Sequence, residues 1–277
     1  MVIRSLKRHG QALAAALQFL TRLPVPIRVP FEPEVLARSA IYFPIAGAVI
    51  GCIIAVACAL LGLFMPALPA AVLLLALWTA MSGGLHLDGW MDTADGVLSH
   101  RSRERMLEIM KDSRVGAMGV IAAVLLLLFK FAVLTELYGI AAVGSDESSI
   151  VVFAAMAIVP AWSRWWMAAA IAGWPNARQG EGIGAMFRLA GWKHSAGGGL
   201  IAAAYSFIAL TALGKLGFFE AMIAAAVAAL VTAFVGWASA VWLSRKLGGL
   251  TGDTYGAMNE AVEAVLLLAA LLWLMNT

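Results

Sequence analysis

Three carboxylates in the stretch Gly83–Gly119 have a spacing that can do chemistry. Asp88, Asp92 and Asp95 fall at i, i+4 and i+7. On a helix they share one narrow face, where like charges repel and weaken the helix. Packing has no use for that arrangement. A hard divalent cation held by oxygen ligands against a substrate's phosphates offsets the repulsion. Solvated acids at a helix N-terminus account for one or two of the three, but not for three on a face flanked by Gly89 and Gly96. The same stretch then supplies Arg101, Arg103, Arg105, Lys111 and Arg114. Acids for a metal followed by bases for phosphate is the pattern of phosphoryl transfer.

Other residues extend this set. Asp253 opens the last apolar segment and is the candidate to complete the shell of a Mg²⁺ ion from a second helix. Asn259 and Glu260 are candidates to orient substrate or ligands, and Glu263 is either functional or a partner for Lys130 or Arg164. Charges inside a membrane helix are costly and mark function or pairing. Lys111 and Arg114 are candidates for holding phosphate, whereas Arg101, Arg103 and Arg105 read as charge on a cytoplasmic loop. Arg178 and Arg188 bracket a Gly-rich loop, Ala177–Arg188, whose N–H groups can cradle an anion. His86 is either a general base or phosphate donor, or an interfacial residue without a role. The proton acceptor is left among Asp95, Asp253 and His86.

The elements that must position these residues are membrane helices. Charged residues make up 13% of the 277 residues and mean hydropathy is +0.90, against about 25% charged in soluble domains. The expected fold is an all-α, polytopic bundle forming one domain over 1–277. About seven spans are expected: Arg38–Phe64, Leu68–Leu85, Gly116–Tyr138, Ser149–Gly173, Ala196–Gly214, Glu220–Leu243 and Tyr255–Met275. A kink is expected near Pro44. Residues 1–22 read as an amphipathic interfacial helix, stopped by Pro24 and Pro26, and not as a cleaved signal. With the N-terminus inside, all Lys and Arg except Lys130, Arg164 and Lys215 fall in or beside cytoplasmic segments. That topology brings the Asp cluster, Ala177–Arg188 and Gly248–Glu263 to the cytoplasmic face of the cell (inner) membrane. A net charge of +3 gives no reason to expect nucleic acid, and Cys52 and Cys58 read as small core residues.

Five segments resemble one family. They are Phe19–Pro26 (FLTRLPVP), Tyr42–Gly47 (YFPIAG), Gly84–Gly96 (GLHLDGWMDTADG), Met110–Gly116 (MKDSRVG) and Gly249–Asp253 (GLTGD). Together they are similar to the cobalamin synthases, the adenosylcobinamide-GDP ribazoletransferases, over about residues 15–265. Tyr255 stands where a smaller or aliphatic residue is expected. The resemblance implies a Mg²⁺-dependent reaction in which adenosylcobinamide-GDP and α-ribazole, or its 5′-phosphate, give adenosylcobalamin, or its phosphate, and GMP. It leaves open a homo-oligomer or a complex with other cobalamin-assembly enzymes. The rival readings are a CDP-alcohol phosphotransferase-like or prenyltransferase-like enzyme, and a corrinoid transporter or scaffold. The two rival enzymes do not account for the KDSR and GLTGD segments, and a transporter does not account for acids crowded at one face.

Overall fold

The computed structural model describes residues 2–144, 146–178, 180, 182–212 and 216–276. Lys215, Ser145, and positions 179 and 181 of the Gly-rich loop lie outside the described residues. The described chain is helical, with one isolated bridge between Asn176 and Leu250. In order the helices are α1 (Val2–Leu20), α2 (Pro33–Ser39), α3 (Phe43–Leu61), α4 (Ala67–Met81), α5 (Leu85–Val97) and α6 (Arg103–Ile109). They continue as α7 (Ala117–Val143), α8 (Asp146–Gly173), α9 (Gly182–Met186), α10 (Trp192–Ala212), α11 (Phe218–Leu247) and α12 (Gly252–Leu274). A 3-10 turn at Ala40–Tyr42 joins α2 to α3, just ahead of Pro44, where the kink was expected.

Six segments are long and apolar enough to cross a membrane: Pro33–Leu61, Ala117–Ala142, Ser148–Gly173, Trp192–Ala212, Phe218–Leu247 and Gly252–Leu274. The bent pair α4 and α5 brings the total to as many as seven. Most of these helices turn large apolar side chains outward, as lipid-facing helices do: Leu125, Leu128, Leu230 and Phe234 are all exposed. By contrast, α8 is the central post, with most of its length buried. It meets α3 along glycines. A Cβ at Gly47 would stand 2.0 Å from the Pro160 carbonyl oxygen, and one at Gly51 would stand 2.3 Å from that of Ala157. Small residues let two backbones touch where lipid supplies no hydrophobic drive.

Two expectations change. The second span does not run on to Leu85. Helix α4 stops at Met81 and the chain turns by 87° into α5. Gly83 and Gly84 make the elbow with φ of +65° and +75°, a conformation that favours glycine. The aspartates therefore sit on a separate helix beyond the bend. The N-terminal helix is also less interfacial than its pattern predicts. Leu6 is exposed, but Ala12, Ala15, Ala16 and Leu20 are buried against the protein. Phe19 meets Phe43 and Phe187 at ring distances of 6.2 and 5.3 Å.

Because the Gly51 contact is with backbone, it cannot be relieved by a rotamer change. Gly51→Ala should lower stability by about 1–3 kcal/mol. Thermal unfolding in detergent, compared with Gly10→Ala, where a Cβ meets nothing within 4 Å, checks this.

Candidate active site

The aspartate face of α5 is held in place from behind. The opposite side of the helix buries His86, Gly89, Thr93, Gly96 and Val97. A Cβ at Gly89 would lie 2.6 Å from the Asp253 carbonyl oxygen, and one at Gly256 would lie 3.2 Å from the His86 Cα. The backbones of α5 and α12 therefore touch, which sets Asp253 beside the cluster. Thr251 caps α12: its hydroxyl accepts from the Thr254 N–H, and the Thr254 hydroxyl accepts from the Thr251 N–H at 2.8 Å. Asp253 sits in the first turn, where the helix dipole favours an acid.

The loop after α8 docks on the same place. Leu250 N–H donates to the Pro175 carbonyl at 2.8 Å, and Ala177 N–H donates to that of Leu250 at 2.9 Å. This delivers Arg178, whose Nη2 donates to Asp253 Oδ2 at 2.9 Å. The Thr251 hydroxyl donates to the same oxygen at 3.3 Å. Asp92 lies in the field of Asp88, Asp253 and Asp95, with Arg178 as the opposing charge. Asp88, Asp92 and Asp253 thus lie within reach of one another's field, with Arg178 bonded to Asp253.

Asp95 is placed differently. Its Oδ2 accepts from Gly116 N–H and its Oδ1 from Gly119 N–H, both at 2.7 Å. It satisfies free donors at the start of α7. A Cβ at either glycine would reach to within 2.4–2.5 Å of the carboxylate oxygens. The glycine pair that follows KDSRV is the sequence signal for this. Arg114 stands on the segment leading into α7, 87% exposed, with its guanidinium on Asp112 at 2.6 Å. That fork holds the Asp112 carboxyl down at about 2. Lys111 follows α6 on the same segment.

Deeper in the bundle lies a second constellation. Lys130 Nζ donates to Glu260 at 2.6 Å and to Glu263 at 2.7 Å. Arg164 pairs with the other oxygen of Glu263, and Ser163 donates to that oxygen at 3.3 Å. Asn259 Nδ2 donates to His86 Nδ1 at 3.1 Å, and Arg164 Nη2 reaches the same nitrogen at 3.3 Å. Two donors on Nδ1 leave the ring proton on Nε2, which has no partner among the described residues. Two cations and two carboxylates make the set neutral. The structure therefore places Asn259, Glu260 and His86 in a buried network. Seven residues of helix separate Glu260 from Asp253, about 10 Å along the axis. Glu263, for which Lys130 or Arg164 was the expected partner, takes both.

Oxygen ligands suit a hard cation, and Asp88, Asp92 and Asp253 present them toward one space. As they stand, no three acidic, histidine or cysteine side chains of the described residues are gathered at metal-holding distance, and Asp253 is engaged by Arg178. In kind, carboxylate oxygens are what such an ion takes. An apolar cavity of about 340 Å³ between α8, α10, α11 and α12 is lined by none of these carboxylates.

The family profile described as cobalamin-5-phosphate synthase matches residues 12–271. A Roseiflexus protein named adenosylcobinamide-GDP ribazoletransferase is 40% identical over 92% of this chain and 87% of its own length. Proteins of the same name from Brevibacillus brevis and Desulforamulus reducens are 41% and 38% identical. They cover 93% and 94% of this chain and 96% of their own lengths. No solved structure matches the chain.

The buried network carries a stability prediction. Lys130→Met leaves two carboxylates with one cation, and should cost about 3–5 kcal/mol. Lys130→Met/Glu260→Gln restores neutrality and should recover most of that loss. Unfolding in detergent compares the two; equal stability of the single and double variants would show that charge balance is not the cause.

Proposed function

The chain belongs to the cobalamin-5-phosphate synthase family, and we propose that it joins adenosylcobinamide-GDP to α-ribazole, or to its 5′-phosphate, releasing GMP. The observation that carries this reading is the meeting of Asp88, Asp92, Asp253 and Arg178 where α5, α12 and the loop after α8 converge. That face is acidic enough to need a cation and has an arginine at hand for phosphate. Mg²⁺ is the ion proposed, held by Asp88, Asp92 and Asp253, and it would neutralise charge on the diphosphate as a Lewis acid. The face is proposed to open on the cytoplasmic side of the inner membrane, where loops rich in Lys and Arg remain.

The ribazole hydroxyl passes its proton to Asp253 and forms the new bond to the phosphorus borne by the corrinoid arm. The bond from that phosphorus to the oxygen bridging to the guanylate breaks, and GMP leaves with the electron pair. Arg178 meets the phosphate oxygens once it exchanges Asp253 for substrate. Thr251 keeps Asp253 oriented during that exchange. Asp95 holds the opening turn of α7 against α5, so its contribution is positional. The network at His86 fixes the α5–α12 angle from below.

Purified protein in lipid, given adenosylcobinamide-GDP and α-ribazole, should release GMP and form the corresponding cobalamin only with Mg²⁺ present. Asp92→Asn should insert and unfold like the parent, yet lose turnover by about a hundredfold or more. Full activity in that variant would remove the carboxylate face from the mechanism. Turnover of CDP-diacylglycerol or a prenyl diphosphate instead would transfer the chain to another reaction.

A further inference from the structure

Arg22 belongs to the FLTRLPVP segment, to which nothing so far gives a task. The segment is built to hold this one residue. Thr21 closes α1, its hydroxyl donating to the Leu17 carbonyl at 2.7 Å and accepting from Leu23 N–H at 3.2 Å. Gln18 Nε2 donates to the carbonyls of Val25 at 3.2 Å and Ile27 at 2.6 Å, folding the proline stretch back on α1. Arg22 N–H donates to the Met81 carbonyl at 2.8 Å, pinning it to the last turn of α4. Its guanidinium then lies across the elbow: a Cβ at Gly83 would meet Arg22 Nε at 2.0 Å and Cζ at 2.8 Å.

The position matters because α5 begins one residue beyond the elbow, and Asp88 N–H bonds the Gly84 carbonyl at 2.9 Å. Arg22 thus stands beside the elbow that leads into the N-terminal end of α5, the end that carries Asp88. It is exposed, and no carboxylate pairs with it among the described residues. The other arginines near the face are committed, Arg178 to Asp253 and Arg114 to Asp112. Arg103 makes a similar approach to a left-handed glycine, with its Cζ 2.1 Å from a Cβ at Gly248. It lies on α6, which packs against the far end of α5 through Met106 and Met110 at Gly96. Gly96 stands eight residues along α5 from Asp88, about 12 Å.

We propose that Arg22 binds the diphosphate of the nucleotide-activated substrate, adding a second guanidinium at the N-terminal end of α5. This rests on the phosphoryl-transfer reading above. A planar guanidinium can take two phosphate oxygens at once, which an ammonium cannot. Gly83 serves the site twice over, by making the elbow and by leaving room for the guanidinium.

Full-length protein in lipid provides the test. Arg22→Gln should raise KM for adenosylcobinamide-GDP by about tenfold or more, since a hydrogen bond to a charged group is lost. KM for α-ribazole should stay within about twofold of the parent. Arg22→Lys should fall between the two, and added NaCl should shrink the gap, because exposed charges are screened. Gly83→Ala, which displaces the guanidinium, should shift KM in the same direction. Kd for GDP, read by calorimetry without turnover, should weaken by a similar factor in Arg22→Gln. This arm tests Arg22 even if the parent releases no GMP, an outcome that would count against the reaction and not against the phosphate site. Unchanged GDP binding, an equal rise in both KM values, or an Arg101→Gln control that behaves like Arg22→Gln would overturn the proposal.

Discussion

Two lysine and arginine cations and two glutamates, all buried within a helical bundle, can exist there only as a neutral set. Lys130, Arg164, Glu260 and Glu263 come from α7, α8 and α12, and His86 and Asn259 attach α5 to them. Removing water from a charge costs several kcal/mol unless a partner stands at hydrogen-bonding distance. That requirement fixes the mutual position of four helices more strictly than apolar packing against lipid can. The aspartate face above inherits its geometry from this set, since α5 and α12 carry both.

Much of this arrangement was legible in the sequence. A one-face spacing of acids survives any rigid placement of the helix that bears it, so Asp88 and Asp92 could be paired on paper. Intramembrane charges announce their need of partners, and a pairing of Glu263 with Lys130 or Arg164 was one of the two readings that need allowed; that it takes both cations emerges only on folding. The meeting of the loop at Ala177 with Gly248–Asp253 was recoverable from topology, because loops on one side of a bundle of this size have little room to avoid each other.

Other features were hidden for physical reasons. The elbow at Gly83–Gly84 interrupts an apolar run without interrupting its hydropathy, and φ leaves no trace in composition. Asp95 finds its donors on main-chain N–H groups 21 and 24 residues away, where no side-chain type marks the partner. His86 looked reactive because a polar residue beside an acid cluster suggests chemistry. Its surroundings, cations and an amide from three other helices, appear only after folding. The second half of α1 looked interfacial because its alanines are neutral to an amphipathic pattern, yet they are small enough to let α1 press against the bundle.

Asp95 has a consequence for how the enzyme can move. Its carboxylate joins α5 to the start of α7, Lys130 joins α7 to α12, and the contact of Gly89 with Asp253 joins α12 to α5. Three struts pinned at three joints form a triangulated truss, which cannot shear unless a joint breaks. The helices that carry the aspartates have no soft hinge among them.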